Sequence, residues 1–443
     1  MLMAVCLKGG KVFDLRNNVL LDADVIIEDG KIRKVAGRSE GKVSDAASKG
    51  ARIIDASGCV VMPGFKNAHT HSPMVFFRSL ADDLPLERWL NEVIFPYEAK
   101  LTQDDVYFGS LLAIMEYLKN GITACQDMYF FQDSVAKAFV QAGMRCVLNG
   151  SLTSNAKSPD YDTQKEEDAS YERIMSENDR FSSLSPLISY ALGVHSTYTT
   201  SARLMKGASR AVRELRKGFY LHMNETAFEA STAFSKFGAY NVQYADSLGL
   251  FDYGGGIFHG VHMQDAELDI MKAKGVGAAL NPCSNAKLNS GVPDFERYAR
   301  YRILTGLGTD GASSNNSLDI FKEMWTLQAL NHIKFDNILA PKPYDIVRAA
   351  TEGSAKFMKL DSSLYVEEGQ NADLIMVDIG DVNAVPFTDI CKYLVYSANV
   401  SNIRMTMVAG KVLYCDGKYD IGFDKNDVIK EVVARLNRIR NGK

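Results

Sequence analysis

The histidine pair in Asn67-Ala68-His69-Thr70-His71 constrains this chain more than any other feature, because it directly follows a short apolar run that ends in Pro63-Gly64. Side chains on a strand alternate with a period of two, so His69 and His71 are expected to point to the same side. Two imidazoles on the same side of a strand end can coordinate one metal ion together. Taken alone, such a pair is equally compatible with ordinary polar residues near a strand end.

Short apolar runs alternate with amphipathic helical segments from about residue 61 to residue 360. This alternation is typical of repeated strand and helix units with parallel strands. Eight such runs predict an α/β fold of the closed (β/α)8 TIM-barrel type. The predicted barrel strands are residues 60–65, 122–125, 145–148, 188–194, 219–221, 256–258, 277–280 and 303–307.

Both ends of the chain are predicted to be β-structure. Two extended runs flank Asp29-Gly30, a strong hairpin signal, and two more flank Ala409-Gly410 near the other end. Because these segments bracket the barrel, we expect them to form one small flanking β-sandwich domain from both termini. The predicted domains are residues 1–60 with 362–424, a metal-dependent catalytic barrel at 61–361, and a C-terminal helix at 425–443; the polar stretch 37–50 is predicted to be a loop.

Two helical segments between the barrel strands have informative ends. Thr102 with Asp105 resembles a capping box at the start of a helix, and Gly121 is suited to end it. The polar residues 153–182 are compatible with a long loop over the barrel mouth or with a solvated helix at 166–176.

The overall composition limits the class of partner. The 443 residues carry a net charge of −4, which argues against a nucleic-acid partner. The seven cysteines include no CxxC pair, so neither a disulfide framework nor a cysteine zinc site is indicated. Neither a signal peptide nor an apolar run long enough to cross a bilayer is predicted. We expect a cytoplasmic homo-oligomeric enzyme that acts on a small molecule and has no membrane partner.

Most of the histidines follow predicted barrel strands. In TIM-barrel enzymes the chemistry takes place at this end of the strands, where the strand-to-helix loops begin. Five of the seven histidines are therefore expected on one rim, together with an aspartate. These residues are His69, His71, His195, His222, His259 and Asp310.

Three histidines and one aspartate suit a divalent ion, with Zn²⁺ favoured and Fe²⁺ or Mn²⁺ as alternatives. The ion would lower the pKa of a bound water molecule toward about 7. Glu225, three residues after His222, is placed to act beside the metal as a general acid and base. An exposed carboxylate in the first turn of a helix is the competing interpretation of Glu225. Asp310 can hydrogen-bond the water as well as bind the metal.

Several motifs resemble those of the amidohydrolase superfamily, and within it those of the single-metal aminohydrolases. They are Pro63-Gly64-Phe65-Lys66-Asn67-Ala68-His69-Thr70-His71, His222-Met223-Asn224-Glu225-Thr226, His259-Gly260-Val261-His262, Asn281-Pro282-Cys283-Ser284-Asn285 and Gly308-Thr309-Asp310-Gly311. Residues 81–90, 96–101, 127–130 and 313–318 are similar to segments of the methylthioadenosine/S-adenosylhomocysteine deaminases. The resemblance covers essentially the whole chain.

The resemblance implies a role for each matching residue. The implied metal ligands are His69, His71, His222 and Asp310, the last also taking part in catalysis. Glu225 is implied to be the proton shuttle and a purine contact, with His259 beside the attacking hydroxide. Glu98 and His195 are implied to bind substrate. A histidine instead of a lysine at the end of strand four favours one metal ion per subunit over two.

One departure from the family pattern affects the expected substrate. Near the end of strand three the family carries a substrate-binding arginine, whereas this chain has Leu148-Asn149-Gly150-Ser151. An arginine fork is well suited to hold a carboxylate, so its absence weakens the case for S-adenosylhomocysteine. We expect hydrolytic deamination of an adenine nucleoside, namely adenosine, methylthioadenosine, S-adenosylhomocysteine or deoxyadenosine, with release of ammonia and the inosine analogue.

Other functions remain open at this stage. Deamination of guanine, an oxidised purine or a pterin, and dechlorination of a triazine, would use the same activated water, and the fold does not separate them. A catalytically silent scaffold is disfavoured because all four ligand residues and Glu225 are present. A nucleic-acid deaminase is disfavoured by the acidic balance and by the absence of that zinc family's signature.

Overall fold

The computed structural model describes residues 4–37, 50–80 and 82–441. Its strands form an eight-stranded sheet and a ten-stranded sheet. In chain order they are β1 (Val5–Lys8), β2 (Lys11–Asp14), β3 (Val19–Glu28), β4 (Lys31–Gly37), β5 (Arg52–Asp55), β6 (Cys59–Pro63), β7 (Phe65–Thr70), β8 (Ile122–Met128), β9 (Arg145–Asn149), β10 (Ile188–Ser196), β11 (Phe219–Met223), β12 (Gly255–His259), β13 (Val276–Leu280), β14 (Thr305–Leu307), β15 (Leu374–Asp378), β16 (Ile403–Val408), β17 (Lys411–Cys415) and β18 (Lys418–Tyr419). The predicted loop at 37–50 lies, apart from its two end residues, outside the described residues.

Helices occupy most of the connections between the barrel strands. The α-helices are Leu86–Arg88, Phe95–Glu98, Gln103–Lys119, Gln132–Ala142, Gln164–Ser182, Ala202–Leu215, Ala227–Phe237, Asn241–Ser247, Asp265–Lys274, Pro282–Lys287, Phe295–Tyr301, Ala312–Asn315, Ile320–Lys334, Pro343–Arg348, Ser354–Phe357, Ile390–Tyr396 and Lys425–Asn441. The described residues also form two π-helical turns, Trp89–Ile94 and Ala349–Gly353, and two 3₁₀-helices, Ser72–Phe77 and Val400–Asn402.

Strands β7 to β14 form the predicted parallel barrel, in sequence order around the sheet. The seam between β14 and β7 is bridged just beyond the strand ends. There the Asp310 amide donates to the His69 carbonyl at 3.0 Å, and the Thr309 amide donates to the Asn67 side-chain oxygen at 2.9 Å. Inside the barrel, Phe258 stacks on the His69 ring with 3.9 Å between the ring centroids. The (β/α)8 prediction is therefore confirmed. The stacking of Phe258 on His69 shows that a core side chain of the barrel packs directly against the first histidine of the motif.

The predicted first barrel strand at 60–65 is wrong. The first part of that run, β6, pairs with β15 and β2 in the ten-stranded sheet, and the barrel begins with β7. Pro63 has no N–H to donate to a ladder, so the strand can end there. Gly64 then crosses to the barrel at a point where a Cβ would lie 2.2 Å from the Thr123 side chain. Two adjacent apolar segments therefore belong to different sheets.

The ten-stranded sheet folds into two layers around a core of its own, as predicted for a flanking β-sandwich from both termini. The first half of β3 pairs with β2, and its second half pairs with β1 and β4. The two layers bury Val25 and Ile27 against Met405 and Met407. The predicted hairpin at Asp29-Gly30 is confirmed, with φ of 47° and 79° at the two turn residues. The domain boundaries at residues 60 and 361 stay a prediction.

The helix ends agree with their sequence signals. Thr102 caps Gln103–Lys119 in a capping box with Asp105, and Gly121 follows the helix with a φ of 74°. The C-terminal helix packs against this helix, where Arg435 lies over the Phe108 ring and Arg438 forms an ion pair with Asp105. The polar segment at 153–182 combines both alternatives. Residues 153–163 form a loop that contributes to the cavity at the barrel mouth, and the predicted helix at 166–176 is the longer helix Gln164–Ser182.

Within the described ranges, no helix is both long enough and apolar enough to span a bilayer. All seven cysteines fall within those ranges, and each is a free thiol. Six of them are buried, as expected for small core residues.

Candidate active site

The four residues expected to bind metal lie together at the carboxyl end of the barrel. Their ligand atoms all fall within 4.8 Å of one another, and all four side chains are buried. His222 Nε2 lies 3.1 Å from His69 Nε2 and 3.3 Å from His71 Nε2. Asp310 Oδ1 lies 3.2 Å from His71 Nε2. The strands β7 and β11 and the turn after β14 thus bring distant parts of the sequence to one point.

The hydrogen bonds of the histidines show that this group fits a divalent cation. His71 Nδ1 donates to the Met128 carbonyl at 2.5 Å, and His222 Nδ1 donates to the His195 carbonyl at 2.7 Å. A neutral imidazole has a single N–H, so a ring that donates from Nδ1 turns a lone pair on Nε2 toward the site. Burial, reinforced by the neighbouring histidines, lowers the pKa of His222 well below its usual value. Burial acts in the same direction on His71, but the Asp310 carboxylate outweighs it and raises the pKa of that ring. Imidazole nitrogens and a carboxylate gathered at one buried point are a donor set that suits a divalent cation. The group is therefore a candidate divalent-metal site.

Asp310 is held in place by two hydroxyl groups. Its Oδ2 accepts from Ser284 Oγ at 2.6 Å and from Ser314 Oγ at 2.7 Å, which leaves Oδ1 toward the histidines. Burial raises the pKa of Asp310, but the contacts with His69 and His71 outweigh burial and hold the pKa well below its usual value. The backbone φ of 56° at Asp310 is uncommon for a residue with a side chain and marks the turn that aims the carboxylate.

Glu225 lies just beyond β11 with its carboxyl group buried in the same site. The amides of Asn224 and Glu225 donate to the Glu229 carboxylate at 3.0 and 2.9 Å, which fixes this turn. Ser290 Oγ donates to Glu225 Oε1 at 3.2 Å. Burial raises the pKa of Glu225 well above its usual value, and the charges of Asp310 and Glu229 raise it further. Glu225 can therefore carry a proton near neutral pH.

His259 ends β12 beside Glu225, with a backbone φ of 71°. Its Nδ1 accepts from the Asn285 side-chain amide at 2.9 Å, so the ring proton is on Nε2. That nitrogen lies 3.7 Å from Glu225 Oε2. Burial lowers the pKa of His259 to about 4, so the ring is a neutral hydrogen-bond donor toward the site.

The two residues expected to bind substrate line the same cavity. His195 lies near the end of β10, and its Nδ1 contacts Thr199 Oγ1 at 3.1 Å. Glu98 ends a short helix at the cavity wall. Removal from water raises the pKa of Glu98 to about 7.

The cavity has a volume of about 720 Å³, which is in the range of small-molecule sites. Among the lining residues, the Tyr129 hydroxyl is paired with the Glu98 carboxyl group, whereas the buried Trp89 Nε1 has no hydrogen-bond partner in the described part of the chain. The apolar part of the wall is formed by Met74, Leu86, Trp89, Leu90, Phe95, Phe130, Phe237 and Leu288.

The end of β9 confirms that no arginine side chain enters the cavity from this side. A Cβ on Gly150 would lie 2.5 Å from the Gly193 carbonyl, so the backbones of β9 and β10 are too close for a side chain there. The next residues that line the cavity are Ser151, Thr153 and Ser154, which are small and uncharged.

Sequence reasoning missed the residues that orient Asp310, His259 and Glu225. Three of these residues lie in segments that match the family but were given no role, namely Ser284, Asn285 and Ser314. The fourth, Ser290, was not part of any matching segment. The first three follow strands β13 and β14, so their position at the catalytic ends of strands was a usable signal. Their partners are set by loop geometry, which the sequence pattern does not reveal.

Comparisons with known proteins agree with this geometry. The amidohydrolase family model matches residues 60–413. The chain is 38% identical to the 5-methylthioadenosine/S-adenosylhomocysteine deaminase of Thermococcus onnurineus, over 94% of this chain and 95% of that protein. It is 34% identical to the 5'-deoxyadenosine deaminase of Methanosarcina mazei, over 93% and 94% of the two chains.

Among solved structures, an adenosine deaminase from Xanthomonas campestris with bound zinc superposes with a TM-score of 0.90. It is 29% identical to this chain, and the match covers 99% of each chain. The similarity to these proteins therefore covers both the barrel and the flanking sandwich. From the family match and the full-length relatives, we conclude that this chain belongs to the amidohydrolase family.

Proposed function

We propose that this protein is a zinc-dependent hydrolase that deaminates an adenine nucleoside, with one ion per subunit. The observation that carries the proposal is the buried carboxyl of Glu225 beside a four-ligand metal group in one cavity. Hydrolytic deamination needs an activated water molecule and a group that moves protons, and this cavity contains residues for both. The names of the full-length relatives, which are deaminases of adenine nucleosides, support the choice of substrate.

His69, His71, His222 and Asp310 are the proposed zinc ligands. Their four ligand atoms form one compact group, which supports a single ion, and the similar adenosine deaminase has bound zinc. When bound, the ion supplies a Lewis acid that makes water a stronger nucleophile near neutral pH. Ser284 and Ser314 orient Asp310, and the carbonyls of Met128 and His195 fix the two histidine rings they contact.

Glu225 is the proposed proton carrier. As the water oxygen bonds to the ring carbon that bears the amine, Glu225 takes one proton of the water molecule and gives it to the adjacent ring nitrogen. Glu225 then takes the proton of the new hydroxyl group and delivers it to the amine, which returns Glu225 to its starting state. The carbon–nitrogen bond breaks, a carbonyl forms and ammonia leaves, so water supplies all the added atoms. His259 donates a hydrogen bond from Nε2 to the incoming oxygen, since Asn285 keeps the proton on that nitrogen.

The sugar of the nucleoside is proposed to lie against Glu98. A carboxylate can accept hydrogen bonds from both ribose hydroxyls. The Tyr129 hydroxyl is paired with Glu98 and helps to position that carboxyl group, and His195 lines the same cavity. A free purine or pterin base, or a triazine, has no ribose hydroxyls to bind Glu98, so the nucleoside is the favoured substrate over those alternatives.

The proposal is tested by ammonia release from purified, metal-analysed protein. The panel contains adenosine, 5'-methylthioadenosine, S-adenosylhomocysteine, 5'-deoxyadenosine, adenine, guanine and a pterin. We expect turnover of at least one adenine nucleoside and much slower release from the free bases. Faster release from a free base than from every nucleoside would contradict the proposal.

A further inference from the structure

A second cavity of about 300 Å³ adjoins the main one, and we call it the annex. It lies between the helical segment 86–98 and the helix Ala227–Phe237, which follows Glu225. The residues that line both cavities are Leu86, Leu90, Phe95, Tyr198, Thr199, Lys236 and Phe237. The annex is therefore a lateral extension of the nucleoside site, with room for a substituent on the substrate.

Lys236 is the one lysine or arginine among the described residues that line these two cavities. Lys236 forms no ion pair with another described residue, and its Nζ lies 4.9 Å from the centre of the Phe237 ring. Partial removal from water lowers its pKa, although Glu229 opposes that effect. The end of β9 supplies no arginine, so among the described lining residues Lys236 is the side chain that can offer a permanent positive charge to the tail of a ligand.

The annex also presents a carboxylate. Glu229 uses its two oxygens to accept backbone amides of the Asn224–Glu225 turn. Glu87 instead is exposed, and its carboxylate forms no ion pair with another described residue. Lys236 and Glu87 thus place a positive and a negative charge on the walls of one small cavity. This arrangement complements a zwitterionic group, such as an amino acid. A phosphate would match Lys236 but would be repelled by Glu87.

We infer that Lys236 binds the carboxylate of an amino-acid substituent at the 5' position of the nucleoside, with Glu87 facing its ammonium group. The inference rests on the proposed function and makes Lys236 a specificity-determining residue. It would also give this chain a way to bind a charged tail without an arginine at the end of β9. Lys236 and Glu87 would then favour adenine nucleosides with a 5' amino-acid substituent over adenine nucleosides with an uncharged 5' substituent.

The test compares kcat/KM for S-adenosylhomocysteine with kcat/KM for the neutral 5'-methylthioadenosine, using zinc-loaded protein. In Lys236→Met we expect the ratio of the two values to fall by about tenfold or more, because one charge-assisted hydrogen bond is lost. Lys236→Arg should restore most of the ratio, and Glu87→Gln should lower it severalfold. Lys206→Met, at an exposed position on another helix, is the matched control and should keep the wild-type ratio.

The possible outcomes separate this inference from the proposed function. An unchanged ratio in Lys236→Met, with both nucleosides deaminated, would overturn the role of Lys236 and leave the proposed function intact. No ammonia from S-adenosylhomocysteine, with adenosine or 5'-methylthioadenosine deaminated by the wild type, would overturn the role of Lys236 alone. No ammonia from any adenine nucleoside of the panel would contradict the proposed function, and the role of Lys236 would fall with it. Adenosine 5'-monophosphate tests the phosphate alternative. If the wild type prefers it to S-adenosylhomocysteine and Lys236→Met loses that preference, the amino-acid assignment is wrong.

Discussion

His222 Nε2 lies 3.1 Å from His69 Nε2, although the two residues are 153 positions apart in the chain and stand on different barrel strands. His222 donates its only ring proton to the His195 carbonyl, so the nitrogen that faces His69 carries a lone pair. A buried lone pair that lies beside a second imidazole and the Asp310 carboxylate is well placed to bind a cation. The stability of this end of the barrel should therefore depend on metal, and the first prediction follows from that dependence.

Removal of the metal should abolish activity and lower the melting temperature. An ion present at 100 times its dissociation constant stabilises the folded state by about 2.7 kcal/mol, so a drop of at least a few degrees is expected. Metal analysis and scanning calorimetry before and after chelation measure both effects, and added zinc should reverse them. The assignment of a metal site would be contradicted if the protein were purified without metal and its melting temperature did not change when zinc was added.

Glu225→Gln should lower kcat by about 10²- to 10⁴-fold, the range for loss of a general acid and base. The amide keeps the size of the side chain but cannot take protons from the water molecule and deliver them to the ring nitrogen and the amine. Steady-state kinetics with bound-metal analysis checks that the loss is not a loss of metal. Glu172→Gln, at an exposed helical position, should retain wild-type kinetics. Near-normal turnover in Glu225→Gln would assign the proton transfer to another group.

Ser284→Ala and Ser314→Ala should each weaken metal binding by about 10- to 100-fold, since the hydroxyls orient the Asp310 carboxylate. Competition with a chelator of known affinity measures the change for each variant. Ser231→Ala, on an exposed helix surface, provides the comparison. Equal zinc affinity in all three variants would show that Asp310 needs neither hydroxyl.

The stability of the fold should depend on pH through Glu323. Glu323 is fully buried, and it accepts from the Cys283 amide at 3.0 Å and from the Asn315 side-chain amide at 2.5 Å. It therefore joins the two loops that carry Ser284 and Ser314. Burial raises the pKa of Glu323 from 4.5 to about 7, so the folded state favours the neutral carboxyl.

A raised pKa means that the contribution of Glu323 to stability is complete below pH 4.5 and is lost as the pH rises through 7. The linked free energy is about 3 kcal/mol at most. Urea unfolding at pH 5 and pH 8 should show a smaller decrease in stability for Glu323→Gln than for the wild type. The same decrease in both proteins would show that Glu323 does not titrate in this range.

Much of the site could be predicted because strand geometry fixes where side chains point. The alternation of His69 and His71 and the position of His222, His259 and Asp310 after apolar runs were sufficient to place them on one rim. The barrel boundary could not be predicted, because β6 and β7 are adjacent apolar runs in different sheets. Their separation depends on the close approach of Gly64 to Thr123, a tertiary contact.

The orienting residues and the annex also depend on tertiary structure. Asn285 and Ser284 have ordinary loop composition, and only the fold brings them to His259 and Asp310. Lys236 looks like a solvated helical lysine in the sequence. Its position between two cavities becomes clear only when the helix Ala227–Phe237 is packed beside the barrel mouth.

The most direct test of the central claim uses zinc-loaded protein and 5'-methylthioadenosine in water labelled with oxygen-18. Hydrolytic deamination predicts one ammonia per product molecule and one labelled oxygen on the purine ring, at the carbon that carried the amine. Mass spectrometry and an ammonia assay on the same sample measure both quantities. Release of free adenine, or a product without the label on the ring, would contradict the account.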